Sequence, residues 1–156
     1  MKRILKITAT LFLLLMVVVS CDKDQEEIEI PLEVTYANIE GIWQLVKWNG
    51  EPLDEGLYCY IAFDRKDRTY KMYQKFDSMY ARLITGKFNI DNETYPGSSI
   101  VTGEYDFNGS WSDSYVVTDL LESGSMVWTS KDDPEHVQYY QRCESVPENI
   151  IEEIGR

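Results

Sequence analysis

From Gly41 to Cys143 short apolar runs alternate with polar punctuation, and no window of 11 or more residues carries a convincing helical period. Eight runs rich in Tyr, Val, Ile, Phe and Trp read as strands: Gly41–Trp48, Leu57–Phe63, Thr69–Gln74, Met79–Ile90, Ser98–Phe107, Ser112–Leu121, Ser125–Ser130 and Val137–Cys143. Turn-forming residues separate them: Asn49-Gly50, Asp64 to Arg68, Asp91-Asn92-Glu93, Asn108-Gly109 and Ser123-Gly124. Asn-Gly is the strongest short-range hairpin signal, because both residues tolerate positive φ. Strands joined by short connections pair antiparallel with their neighbours, and eight are enough to close a sheet and leave no edge. The pattern predicts an all-β, eight-stranded antiparallel up-and-down barrel. A β-sandwich is the alternative, since periodicity does not separate a closed sheet from two packed ones.

Two stretches echo one another. Leu83-Ile84-Thr85-Gly86-Lys87-Phe88 and Ile100-Val101-Thr102-Gly103-Glu104-Tyr105 share apolar, apolar, Thr, Gly, charged, aromatic. A Gly inside a strand permits sharp coiling or close backbone approach, so the pair suits adjacent staves of one curved sheet. The end of the chain changes character. Ser145 stands three residues before Glu148, with Pro147 in the first turn. This predicts a short helix over 149–154 within a C-terminal segment 145–156, packing Ile150, Ile151 and Ile154 on the outside or one end of the barrel. Alone it is too short to persist, so burial has to hold it.

The beginning carries an address. Lys2, Arg3 and Lys6 precede a run from Ile7 to Val19, apolar except for Thr8 and Thr10, followed by Ser20 and Cys21. Residues 1–20 read as a secretory signal ending in a lipoprotein processing site, with Cys21 as the lipidated residue. An apolar stretch of about 13 residues is short for the roughly 30 Å of a bilayer core. Residues 21–38 read as an acidic flexible tether, opening with Asp22 to Glu29, DKDQEEIE. These charges resemble the acidic signals that send lipoproteins of Bacteroidota to the outer leaflet. The expected address is the cell envelope: an outer-membrane lipoprotein, surface-exposed or facing the periplasm. The domain is expected over 39–144.

Charge narrows the partners. The 156 residues carry a formal net charge of −12, and loss of residues 1–20 leaves 12 basic against 27 acidic side chains, about −15. Such a charge repels nucleic acid and anionic headgroups alike, so contact with the bilayer is expected through acyl chains on Cys21. Cys59 and Cys143 remain, either as a disulfide or as two separately buried thiols. Signs of catalysis are thin. His136, the single histidine, follows Asp132, Asp133, Pro134 and Glu135 and reads as a solvated loop residue. There is no Gly-x-Ser-x-Gly elbow and no His-Glu-x-x-His. No enzyme, metal or cofactor is expected. Asp64 to Asp67 and Asp132 to Glu135 lack calcium-loop spacing and read as charged hairpin tips. Asp77-Ser78-Met79 resembles the O-glycosylation signal of Bacteroidota, with Ser78 as acceptor.

The first strand carries a family resemblance. Glu40-Gly41-Ile42-Trp43-Gln44-Leu45, with Gly, one residue, then Trp, resembles the start of lipocalins and of the lipocalin-like lipoproteins of Bacteroidota. The lipidated leader, the Thr-Gly-aromatic strand and the closing Tyr139-Tyr140-Gln141-Arg142 agree in order. The resemblance covers Glu40 to Cys143 and implies a barrel whose closed end holds Trp43 inside, with Arg142 packed over it. The long first loop and the full later motifs of the classical family are missing, so no particular ligand class is implied. Eleven Tyr and four Trp suit an apolar pocket with a few hydroxyls, for which Tyr58 and Tyr60 are candidates, or a filled core with outward Tyr. The first arrangement binds a small apolar or amphipathic ligand. The second works through its surface, as a structural or protein-interaction subunit of an envelope complex.

Overall fold

Among residues 29–76 and 78–155, which the computed structural model describes, nine strands form one antiparallel sheet. They are β1 (Gly41–Trp48), β2 (Glu51–Pro52), β3 (Tyr58–Asp64), β4 (Thr69–Lys75), β5 (Arg82–Asp91), β6 (Ser99–Tyr105), β7 (Tyr115–Thr118), β8 (Ser125–Ser130) and β9 (Val137–Cys143). Strands β3 to β9 follow one another in sequence order, and β9 pairs back onto β1, from Ile42↔Cys143 to Trp48↔Gln138. That pairing closes an eight-stranded barrel and excludes the sandwich. The two-residue β2 only lengthens the β1 hairpin, where Asn49 (φ 50) and Gly50 (φ 85) make the tight turn their sequence predicts.

Three strands, β5, β6 and β7, are shorter than the apolar pattern suggests, two of them for evident local reasons. The fifth starts at Arg82 instead of Met79, where the Ser78 hydroxyl accepts the Tyr80 N–H and holds the chain in a turn. The seventh ends at Thr118, because Asp119 has φ 49 and leaves the extended region.

Parity settles the interior. Trp43 and Leu45 on β1, Cys59, Ile61 and Phe63 on β3, and Tyr70 on β4 all belong to one buried cluster. A register shift between Leu45 and Lys47 places one extra residue, Val46, in β1 against β9. This bulge reverses the alternation and brings Trp48 opposite Gln138, turned inward, where unbroken parity would face it out. The echoed strands are neighbours, with Gly86 opposite Tyr105 and Gly103 opposite Phe88. Each glycine thus lies across from the aromatic residue of the other strand. A Cβ at Gly103 would run into the Trp111 indole.

The domain begins before residue 39. Leu32 donates its N–H to the Leu120 carbonyl, and Val34, 6% exposed, joins the core. A four-residue helix α1 (Tyr36–Ile39), capped by the Thr35 hydroxyl on the Asn38 N–H, delivers fully buried Ile39 to the closed end. Residues 32–38 of the expected tether therefore belong to the fold, because Leu32, Val34 and Tyr36 pack on the core, whereas Ile30 is 81% exposed. Cys21, the expected secretory signal and residues 22–28 lie outside the described residues.

The C-terminal helix α2 (Glu148–Ile154) lies against the outer wall. Its N-cap position is Pro147, with no side-chain cap. Ile150 and Ile154 pack with Tyr58, Tyr60 and Tyr73, whereas Ile151, 49% exposed, does not share that face. The i, i+4 spacing aligns the first two and leaves Ile151 about 100° away. Glu153 fastens the helix, accepting from Lys75 Nζ at 2.8 Å and the Tyr58 hydroxyl at 3.1 Å. Among the described residues no helix is long and apolar enough to cross a membrane.

Candidate functional site

The two ends of the barrel differ in kind. At the closed end Trp43 is fully buried, and its indole N–H donates to the Ile39 carbonyl at 2.8 Å. The Arg142 guanidinium lies 4.3 Å above the indole ring and donates to the carbonyls of Glu40 and Asn38. Gly41 makes room for it: φ is +117, and a Cβ there would meet the guanidinium. Burial lowers the Arg142 pKa, while neighbouring Glu40 raises it. This end is sealed.

The open end holds a cavity of about 340 Å³. Leu45, Met72 and Ile84 contribute aliphatic surface, and Trp48, Phe76, Tyr105, Trp111, Tyr115, Trp128 and Tyr140 surround it with rings. The rings brace one another. Tyr115 stacks on Trp128 at 5.2 Å, Trp128 meets Tyr140 at 4.9 Å, and Trp48 lies 4.5 Å from Phe76 and 4.2 Å from His136. The Trp111 indole N–H donates to the Tyr70 hydroxyl at 2.8 Å, fixing that ring over Gly103.

Polar groups in this wall are few and mostly committed. The Tyr140 hydroxyl donates to Gln138 Oε1 at 2.6 Å, and Gln138 also bonds Tyr115. Burial pushes the Tyr140 hydroxyl well above its ordinary pKa and raises Tyr115 as well. Both therefore stay neutral across physiological pH. Gln74, with its amide oxygen toward Arg82, accepts from Arg82 Nε at 3.0 Å and Nη2 at 2.7 Å. Two buried nitrogens find no partner among the described residues: Trp128 Nε1 and His136 Nε2. An unsatisfied buried donor costs about 1–3 kcal/mol.

Several candidate residues stand elsewhere. Tyr58 and Tyr60 do not line the cavity. They share the outward parity of β3, because Cys59, Ile61 and Phe63 take the inward positions, and they form the bed for α2. Burial and the Glu153 carboxylate push the Tyr58 hydroxyl up to about 12. Cys59 and Cys143 are free thiols. Strand β1 runs between them, with Ile42 opposite Cys143 on one side and Ala62 on the other. Two strand spacings of about 4.8 Å exceed the roughly 7 Å Cα separation that a disulfide spans. Their side chains also face opposite sides of the wall, Cys59 on the cavity and Cys143 toward the α2 bed. Ser78 is half-buried, with its hydroxyl bonded to the Tyr80 N–H, while Asp77 lies outside the described residues. The Asp64 carboxylate accepts the Asp67 N–H within its hairpin tip, and no three His, Cys, Asp or Glu among the described residues group around a metal position.

The acidic sequence around His136 predicts a solvated side chain, and no sequence motif assigns a role to Trp48, Arg82, Trp128 or Gln138. His136 is instead half-buried beside Trp48 in the cavity wall. Its backbone N–H donates to the Asp133 carbonyl, and its own carbonyl accepts the Ser130 backbone N–H, so the β8–β9 turn carries it inward. The inward residues of β8 and β9 were recoverable from strand alternation once one residue of each was oriented. Trp48 was not, because a bulge breaks the count.

No curated protein and no solved structure matches this chain. A family model described as a lipocalin-like domain matches residues 39–128, from the closed-end Ile39 through β8 to Trp128. With a closed eight-stranded barrel, a sealed end built on Trp43 and an open end over a cavity, the chain belongs to the lipocalin-like domain family.

Proposed function

We propose that this protein is a non-enzymatic, membrane-tethered binding protein that holds a small apolar or amphipathic molecule in the open end of its barrel. The cavity carries this reading. Its volume of about 340 Å³ falls within the roughly 300–1,000 Å³ of small-molecule sites, and such sites combine apolar walls with a few placed polar groups. The alternative, a barrel acting through its surface, expects that space to be filled by side chains. Native mass spectrometry of the protein isolated from its own host tests the proposal. A bound small molecule, released on denaturation, is expected; a chain that is always empty counts against it.

The tether belongs to the same proposal. The Glu29 carboxylate accepts the Ser123 N–H in the β7–β8 turn, so the described chain begins at the closed end. An acyl anchor on Cys21 would then join the barrel on the side opposite the cavity mouth. The proposed address is the cell envelope, on the outer membrane. Cys21→Ser is expected to abolish incorporation of radiolabelled palmitate, and undiminished labelling would reject Cys21 as the lipidated residue.

A further inference from the structure

The wall of the cavity is electrostatically unlike the rest of the chain. The sequence carries 27 acidic residues and a net charge of −12, yet no described Asp or Glu lines the cavity, while Arg82 and His136 do. Asp106 and Asp113, in the neighbouring β6–β7 connection, are engaged by the Thr85 hydroxyl and the Ser114 N–H. Arg82 brings a guanidinium, a fork of N–H donors with no acceptor, part of it engaged by Gln74. Two further groups ask for a partner. Trp128 is 1% exposed, and its indole nitrogen is a donor only; His136 Nε2 is likewise buried without a partner. They flank Tyr115, whose ring lies 5.2 Å from Trp128 and 6.3 Å from His136. An acceptor-only group entering here meets the Trp128 indole N–H, the Arg82 guanidinium and His136 Nε2, which donates when the ring proton sits there, with no carboxylate among the described lining residues to repel it.

We infer that the molecule held in this cavity is a compact planar anion, an aromatic carboxylate, whose ring lies among the Trp and Tyr side chains and whose oxygens are read by Trp128, His136 and Arg82. This rests on the ligand-binding reading above and specifies its chemistry. The aromatic wall favours a flat partner, since ring pairs gain from offset and edge-on contact beyond their buried area. A volume near the lower limit for ligand sites favours a one- or two-ring molecule over a long acyl chain.

Calorimetric titration of the full chain in lipid nanodiscs, with empty nanodiscs as blank, tests this with three probes: 2-naphthoate, 2-naphthylmethanol and decanoate. The naphthoate is expected to bind at least about tenfold more tightly than the alcohol, as for hydrogen bonds to a charged group. Arg82→Gln, checked by thermal melting to be folded, is expected to erase most of that preference. In ¹⁵N-labelled protein the Trp128 indole proton is expected to move downfield with naphthoate. The Trp43 indole proton, already bonded to Ile39, should stay in place and serve as reference. Equal affinities for acid and alcohol would overturn the anion while leaving a binding protein, and tighter binding of decanoate would overturn the planar ring. Binding of none of the three would overturn the inference altogether, and the native mass spectra then decide the broader reading separately.

Discussion

Replacing Trp43 with Ala is expected to cost about 3–5 kcal/mol of folding free energy, the range for large aromatic side chains removed from a core. Three losses coincide there. The largest ring at the closed end disappears from a position with no exposure, and its neighbours Ile39, on α1, and Phe63, on β3, cannot collapse freely into the space. The Ile39 carbonyl loses the indole N–H that it accepts at 2.8 Å. Arg142 loses the ring beneath its guanidinium and with it the surface that holds it over the seam between β1 and β9. Urea denaturation read by circular dichroism measures the change. A shift below about 1 kcal/mol would mean that the closed end is not a main stability element. The cavity lies at the other end, so the proposed ligand binding should survive in the folded fraction.

Gly86→Ala is expected to rival that loss, at about 3 kcal/mol or more, through overpacking against atoms that cannot yield. Gly86 sits where β5 coils against β6. A Cβ built there falls inside contact distance of the Glu104 carbonyl and 2.9 Å from the Tyr70 ring. The carbonyl is backbone of the adjoining stave, so relief means opening the β5–β6 ladder instead of turning a rotamer. Gly86 is not among the positive-φ glycines, so the expected cost comes from crowding and not from backbone conformation. Thermal unfolding measured by calorimetry checks it. A melting temperature equal to the parent's would show that the sheet relaxes around the added methyl.

Much of this architecture is readable from residue order. The strand-like runs, the Asn49-Gly50 hairpin and the Thr-Gly-aromatic echo are local signals, because turn φ values and alternation act over two to eight residues. Strong local signals also marked the C-terminal helix, although Ser145 did not become its cap. The site was far less legible. Tyr58 and Tyr60 looked like pocket residues because aromatic content does not say which face of a strand is inside. One slip of parity moves every side chain to the other wall, and β3 chose Cys59, Ile61 and Phe63 for the interior. His136 looked solvated because Asp132, Asp133 and Glu135 surround it in sequence, whereas in space it meets Trp48 and Tyr115.

Residue order alone therefore specifies an all-β chain of eight staves, a glycine-relieved pair of neighbours and a Gly-x-Trp opening strand, since each depends on contacts between residues close in sequence. Closure of the sheet, the inward turn of Trp48 at the Val46 bulge and the separation of Cys59 from Cys143 depend on register between strands up to a hundred residues apart. The same holds for the cavity. That no acidic group among the described residues lines it, in a chain with 27 of them, is a property of which side of each strand faces in, and only long-range pairing sets that.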